Sequence, residues 1–96
     1  MLRYKKIRIG KKYLEALLFG LTTKRIIIIK GSKGYIMCGY LDLKVAEKFN
    51  DVAAKVTGVT NIEDVLKTTV YSCTKQARAL GIHKGQPVKE VLKFIA

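Results

Sequence analysis

Ile26-Ile27-Ile28-Ile29-Lys30-Gly31-Ser32-Lys33-Gly34-Tyr35-Ile36-Met37 is the stretch of sequence that decides the fold. It begins with four β-branched residues, which favour a strand because their side chains are restricted at χ1. Side chains along a strand alternate between its two faces, so both faces of this strand need an apolar cover. The glycines of residues 30–34 are free to take positive φ and predict a hairpin turn. Residues 35–40 should therefore return as an antiparallel strand.

The residues that precede this stretch also predict strands. Residues 2–9 mix basic and β-branched side chains, and residues 10–12 predict a turn. Residues 13–19 are apolar and short, and Gly10 and Gly20 flank them, which favours a strand over a helix. The first 41 residues should therefore be mainly β.

The next segment predicts a short helix followed by a strand. Asp42 is a suitable N-cap because its carboxylate can accept hydrogen bonds from exposed backbone N–H groups. Ala46 and Phe49 should then face inward, and Asn50 tolerates the left-handed conformation that ends a helix. Residues 52–57 alternate between two faces and predict a strand that ends at Gly58.

A second helix and strand should follow. Residues 60–63 (Thr-Asn-Ile-Glu) have the spacing of a capping box, which predicts a helix through Lys67. Residues 69–73 predict another strand. Together with the preceding strand they form a β-α-β unit, which is expected to be right-handed if its strands are parallel.

The C-terminal part predicts two more helices. Thr74 can cap a helix over residues 75–80 that Gly81 ends in a left-handed conformation. Apolar residues then recur at helical spacing after Pro87 and should dock on the sheet; they are Val88, Val91, Leu92 and Ile95. We therefore predict one α+β domain over residues 1–96, with a mainly β part (1–41) and a mixed part (42–96).

Composition limits the class of protein. A chain of 96 residues, 49% of them apolar and 27% charged, forms a small globular domain whose single core is near the lower size limit for stability, so self-association would help it. Its apolar runs are far shorter than the roughly 20 residues of a spanning helix, and Met1 opens no secretory signal pattern. We expect a cytoplasmic protein, with no membrane contact, in which Cys38 and Cys73 stay reduced.

The formal net charge of +12 suggests a second class of function. Six cations fall within the first dozen residues and are candidates for contact with nucleic-acid phosphates: Arg3, Lys5, Lys6, Arg8, Lys11 and Lys12. The alternative is a lysine-rich surface that keeps a sheet-rich protein soluble, because charge by itself sets solubility and non-specific attraction.

Cys38 is the first candidate for chemistry. A thiol just before a helix N-terminus is favoured as the nucleophilic thiolate. The same strand alternation also allows Cys38 to be a small buried apolar residue. A cysteine nucleophile needs a base, and the only histidine is His83, in a loop far along the chain. Two distant cysteines and one histidine do not form a zinc motif, so we expect no metal and no cofactor.

The pattern Gly-Tyr-x-x-Cys-Gly-Tyr-Leu-Asp over residues 34–42, together with Ala-Arg-x-Leu-Gly-Ile over residues 77–82, resembles the YunC-like family of bacteria and archaea. The resemblance covers nearly the whole chain. It implies a small α+β domain of unknown function that assembles through its N-terminal β region, as a tetramer. The family has no established activity, so the resemblance adds Cys38 as a candidate residue without a mechanism. Asn50, where the family tends to have glycine, and Pro87, where it tends to have threonine, depart from the pattern.

These observations predict a homo-oligomeric α+β domain to which no reaction can be assigned. Its self-association should involve the apolar strand Ile26, Ile27, Ile28 and Ile29, because one layer of helices covers only one face of a sheet. Two alternatives stay open. One is a nucleic-acid-binding module that uses the basic N-terminal strand, and the other is an enzyme or redox-active protein that depends on Cys38.

Overall fold

A computed structural model describes residues 1–39 and 42–96 of the chain. The strands are β1 (Leu2–Ile9), β2 (Lys12–Gly20), β3 (Arg25–Lys30), β4 (Tyr35–Met37), β5 (Ala53–Lys55) and β6 (Ser72–Cys73). The helices are α1 (Leu43–Lys48), α2 (Ile62–Lys67), α3 (Lys75–Ala79) and α4 (Val88–Ile95). The predicted α+β fold, with an N-terminal antiparallel β region and a C-terminal amphipathic helix, is confirmed. Within the two described ranges, no helix is long and apolar enough to cross a membrane.

The strands form one sheet in chain order, from β1 to β6. Strands β1 to β4 pair antiparallel, β4 and β5 pair parallel, and β5 and β6 pair antiparallel. Strands from both parts of the sequence therefore belong to the same sheet. The parallel pair β4–β5 is the feature that positions the site described below.

One face of the sheet carries the main core. Strand β2 alternates strictly, so that Leu14, Ala16 and Leu18 are buried and the residues between them are exposed. Ile27 and Ile29 of β3 join them. Helices α2, α3 and α4 cover this face, and the four apolar residues predicted for α4 are all buried.

The opposite face is covered only in part. Ala46 of α1 packs against Ala53 of β5, and Tyr35 and Met37 of β4 lie against this pair. Helix α1 has six residues and covers the β4–β5 side of the sheet. In the described part of the chain, no helix packs on this face of β1, β2 or β3.

The hairpin turn between β3 and β4 is where it was predicted, but its glycines serve a different purpose. Neither Gly31 nor Gly34 has a positive φ. A Cβ at Gly31 would collide with the carbonyl of Ile95 at the end of α4, and a Cβ at Gly34 would collide with the backbone of Val52. The Lys33 N–H donates to the Ile95 carbonyl (2.9 Å). The turn thus satisfies helix-end carbonyls, which requires close backbone approach.

The predicted helix ends have the expected chemistry in most places. The Asp42 carboxylate accepts from the Lys44 N–H (3.0 Å), and Thr74 caps α3. Asn50 has φ 59° and Gly81 has φ 103°, which are the left-handed conformations predicted after α1 and α3. Phe49 was expected to face inward, but it is 68% exposed, because α1 ends at Lys48 and Phe49 is its C-cap.

The predicted capping box is shifted by one residue. Asn61, and not Thr60, is the N-cap of α2, and its side chain accepts from the Asp64 N–H (2.7 Å). The Asp64 carboxylate reaches back to the Thr60 N–H (3.1 Å) and hydroxyl (2.8 Å). The reciprocal arrangement is preserved, with different partners.

The predicted β-α-β unit is wrong in its pairing. Strands β5 and β6 are antiparallel neighbours, and β6 is limited to Ser72–Cys73. The parallel pair is β4 and β5, which α1 connects. Strand β4 ends at Met37, and Tyr40, the predicted end of that strand, lies outside the described residues.

We expect Gly31→Ala to destabilise the fold, because the new Cβ meets backbone of α4 that cannot move independently. Relieving such a clash costs about 1–3 kcal/mol. Gly39→Ala is the matched control, since no described atom outside its chain neighbours lies within 4 Å of its Cβ position and its φ is not positive. Urea denaturation of both variants checks this, and equal stabilities would contradict it.

Candidate functional site

The uncovered face of β1, β2 and β3 exposes a cluster of apolar side chains. Four of them are well exposed: Leu2 (66%), Tyr4 (53%), Leu17 (37%) and Phe19 (48%). Ile26 and Ile28 of β3 lie beside them and are half-buried. The strand register pairs these residues across the sheet, so they are contiguous. We call the surface formed by these six residues the open sheet face.

Charged residues lie on the same side of the sheet, toward one end only. Lys6 and Arg8 follow the apolar residues of β1, and Lys30 follows those of β3. Glu15 of β2 accepts a hydrogen bond from the Tyr4 hydroxyl (2.9 Å). The surface therefore has an apolar end and a mainly cationic end.

The four isoleucines and the six N-terminal cations that the sequence analysis selected each lie on more than one surface of the structure. Of the four isoleucines, Ile27 and Ile29 are buried in the chain's own core, and only Ile26 and Ile28 reach the open sheet face. The six N-terminal cations are all exposed but do not form one patch. Along β1, alternation places Arg3 and Lys5 on the opposite face from Lys6 and Arg8, while Lys11 and Lys12 lie at the hairpin end.

A cleft lies at the carboxyl ends of β4 and β5. Its volume is about 590 Å³. Three segments that are distant in sequence line it, namely Thr23-Lys24-Arg25, Cys38-Gly39 and Thr57-Gly58-Val59-Thr60. We call it the thiol cleft, because the Cys38 sulfur lies among these segments.

Cys38 is held by backbone groups of β3. Its own N–H donates to the Ile27 carbonyl (3.1 Å), as in a regular antiparallel pair. The Ile27 N–H, which such a pair would direct to the Cys38 carbonyl, donates instead to the sulfur (3.4 Å). The thiol in turn donates to the Arg25 carbonyl (3.5 Å). The sulfur therefore completes the ladder where β4 ends, and Cys38 is 5% exposed.

The structure brings no base to Cys38 in the described ranges. The His83 ring lies within hydrogen-bond distance of the Lys84 carbonyl (3.0 Å) in an exposed loop. That loop adjoins Cys73, whose thiol donates to the Ile82 carbonyl (3.6 Å). Both cysteines are free and buried. In residues 1–39 and 42–96, no three or more His, Cys, Asp or Glu side chains lie close enough together to hold a metal ion.

Arg25 connects two walls of the thiol cleft. Its guanidinium donates to the Thr60 carbonyl (2.9 Å), and its own carbonyl accepts from Cys38. The Thr60 N–H and hydroxyl donate in turn to the Asp64 carboxylate, which holds Thr60 in place. The hydrogen bonds from Thr60 lower the pKa of the Asp64 carboxyl because they stabilise its ionised form.

Tyr35, part of the Gly-Tyr-x-x-Cys pattern, lies beneath α1. Its hydroxyl donates to the Asp51 carboxylate (2.9 Å). Partial burial and this hydrogen bond to a carboxylate raise the pKa of Tyr35 to about 12. The pair ties β4 to the loop that leads into β5.

Sequence reasoning identified Cys38 but missed the rest of the cleft. Lys24, Arg25 and Thr57 belong to no motif, and only the parallel pairing of β4 with β5 brings their segments together. A run of two cations just before the four isoleucines was the one available signal.

Comparison with known proteins gives three results. A family model described as "Domain of unknown function (DUF1805)" matches residues 37–95. The chain is 37% identical over 68 residues to "Uncharacterized protein YunC" of Bacillus subtilis (strain 168), which is 67% of each chain. The crystal structure of a protein of unknown function, TA1206 from Thermoplasma acidophilum, matches 100% of this chain and 94% of that one, with a TM-score of 0.95 and 33% identity.

We expect Cys38→Ala to destabilise the fold more than Cys73→Ala. Removing the Cys38 sulfur leaves a buried N–H without an acceptor, whereas removing the Cys73 sulfur deprives only a carbonyl of a weak donor. An unsatisfied buried donor costs about 1–3 kcal/mol, so the two variants should differ by that amount in free energy of unfolding. Chemical denaturation measures it, and a Cys38→Ala variant as stable as Cys73→Ala would contradict the role assigned to the sulfur.

Tyr35 should make stability depend on alkaline pH. Its pKa is about 12 in the folded state against an ordinary value of 10.0, so the folded state holds the proton over this range while the unfolded state loses it. The stabilisation is complete below pH 10 and disappears as the pH rises toward 12. Tyr35→Phe should therefore lose stability less steeply over this range than wild type, while Tyr71→Phe, at an exposed tyrosine, should follow wild type. Parallel slopes for all three proteins would refute the prediction.

Proposed function

The chain belongs to the DUF1805 family of domains of unknown function, and on that premise we propose that it is a self-assembling module whose copies associate through the open sheet face. The family and the two relatives assign no reaction. One observation carries the proposal: six contiguous apolar side chains are left without a cover on β1, β2 and β3.

A contiguous apolar surface of this kind is a candidate interaction site. Soluble monomers rarely expose contiguous apolar patches larger than a few hundred Å², and larger ones mark interaction sites. A chain of 96 residues also buries a smaller share of its surface than a larger domain does. Covering the open sheet face would add apolar burial at about 25 cal/mol per Å².

The distribution of charge favours a second copy as the occupant. With a net charge of +12, two copies repel each other unless their cations are kept apart. Lys6, Arg8 and Lys30 lie toward one end of the surface, and the apolar residues lie toward the other. A two-fold axis through the apolar end would superpose the apolar residues and send the two cationic ends in opposite directions.

The arrangement of the surface suits an interface, with apolar residues together and charged residues beyond them. A standard interface buries roughly 800 Å² on each partner, with an apolar centre and a polar rim. The six apolar residues would supply the centre, while Tyr13 and the charged residues beyond it would supply the rim. Pairing through the free edge of β1 is less favoured, because Arg3, Lys5, Lys6 and Arg8 line that strand and cations discourage edge pairing.

Contact with nucleic acid is the second candidate, and the cationic end of the same surface favours it. Lys6 lies over the ring of Tyr13, with its Nζ 5.8 Å from the ring centroid. A basic side chain beside an exposed aromatic ring can serve a single-stranded partner. The division of the six N-terminal cations between two faces argues against a single continuous phosphate-binding patch. We also expect a cytoplasmic location, where both thiols would stay reduced.

We expect Leu17→Lys to dissociate the assembly while leaving the fold intact. Leu17 is 37% exposed at the centre of the open sheet face, so a lysine there would place a charge in the interface without disturbing the core. Leu80→Lys is the matched control, because Leu80 is 43% exposed at the end of α3, on the other side of the sheet. Light scattering coupled to size-exclusion chromatography gives the mass of each protein.

Wild type and Leu80→Lys should each have a mass that is a multiple of 10.8 kDa, whereas Leu17→Lys should have the mass of a single copy. Circular dichroism checks that all three are folded. Wild type that elutes as one copy at micromolar concentration would refute the proposal. So would an oligomer that Leu17→Lys does not weaken.

A further inference from the structure

We propose that the thiol cleft binds a small molecule bearing an oxyanion group, a phosphate or a carboxylate. The site lies within one copy of the chain and does not depend on the proposed assembly. Neither the family description nor the relatives assign it.

The topology of the chain creates the cleft. Strands β4 and β5 are parallel neighbours, so their carboxyl ends meet at the same edge. The chain that leaves β4 leads into α1, which packs on one face of the sheet. The chain that leaves β5 leads into α2, which packs on the other face. Where connections from adjacent parallel strands leave to opposite faces, a crevice opens between them, and ligands of open sheets bind in such crevices.

The lining of the cleft suits an anion. Lys24 and Arg25 contribute two positive charges, and Thr23 and Thr57 contribute hydroxyl groups, whereas the Thr60 hydroxyl donates to Asp64. Of the described residues, none that lines the cleft is acidic. Gly39 and Gly58 expose backbone without a side chain, and no described atom beyond their chain neighbours lies within 4 Å of either Cβ position. An anion could therefore approach backbone at both residues.

The arginine is already held in place. One N–H group of the Arg25 guanidinium is bonded to the Thr60 carbonyl, so the side chain spans the cleft, and among residues 1–39 and 42–96 its other donors have no acceptor. Thr60 is itself anchored by two hydrogen bonds to Asp64. Asp64 is an acidic group bonded to this wall, and its carboxylate accepts from the Thr60 N–H and hydroxyl. A fixed guanidinium loses less conformational entropy on binding, and its planar fork matches phosphate and carboxylate oxygens.

The volume sets the size of the ligand. Small-molecule sites commonly measure about 300–1,000 Å³, and the cleft, at about 590 Å³, lies in that range. Val59 adds an apolar contact beside the polar groups of the lining. The ligand class is thus a metabolite-sized anion.

Titration by heteronuclear NMR tests the proposal, with inorganic pyrophosphate in one arm and malonate in the other. The amide signals of Gly39 and Gly58 should shift saturably in at least one arm, and the arm with the tighter binding identifies the preferred oxyanion. Lys24→Gln should weaken binding about tenfold, since a charge-assisted hydrogen bond is lost. Lys89→Gln removes the same charge from the exposed side of α4 and should change affinity by less than about twofold.

Three outcomes would overturn the proposal. The first is the absence of saturable shifts at Gly39 and Gly58 at millimolar concentrations of either anion. The second is equal weakening by Lys24→Gln and Lys89→Gln, which would indicate attraction to the overall charge of +12. The third is a set of shifts spread over the lysines of the surface with none at the cleft. Each of these leaves the proposed assembly untouched, because the assembly rests on the open sheet face, whose six residues do not line the cleft.

Discussion

The unequal covering of the two faces of one sheet is the constraint on which the structure depends. Helices α2, α3 and α4 bury Leu14, Leu18, Ile27 and Ile29 on one face, and this apolar burial is the main source of stability. On the other face α1, a helix of six residues, reaches only β4 and β5. A chain of this length has no further described helix to place there, so the apolar residues of three strands stay in contact with water.

The same division of helices produces the cleft. Because α1 and α2 follow two adjacent parallel strands and pack on opposite faces, the edge between them is left without a covering element. Beyond the end of β4, the hydrogen bonding to β3 does not continue as a regular backbone ladder. The Cys38 sulfur completes the ladder by accepting from the Ile27 N–H, which explains structurally why a small polarisable side chain stands there. A structural thiol and a ligand cleft at one place are compatible, since the cations of the cleft come from β3 and the loop before it.

The sequence predicted the elements better than it predicted their neighbours. Local chemistry was sufficient for the isoleucine strand, for the Asp42 and Thr74 caps, and for the apolar stripe of α4. It was not sufficient for the parallel pairing of β4 with β5, because which strands pair depends on contacts between distant residues. Phe49 was predicted to face inward as a helical residue three positions after Ala46, but α1 ends at Lys48, before Phe49 and the left-handed Asn50. The glycines of the β3–β4 turn were predicted to supply positive φ. Gly31 is needed instead because α4, from the far end of the chain, packs against its backbone. The cleft was beyond prediction for the same cause, because its walls come from three distant segments.

The most direct test of the account is an isotope-filtered NOE experiment on an equimolar mixture of ¹³C-labelled and unlabelled copies, which detects only contacts between different copies. The account predicts NOEs from the Phe19 ring of one copy to the Ile26 and Ile28 methyl groups of another, and none to Ile27 or Ile29, which face the chain's own core. Absence of any such NOE in a sample that tumbles as a folded 10.8 kDa particle would contradict it. Contacts between copies through another surface would do the same.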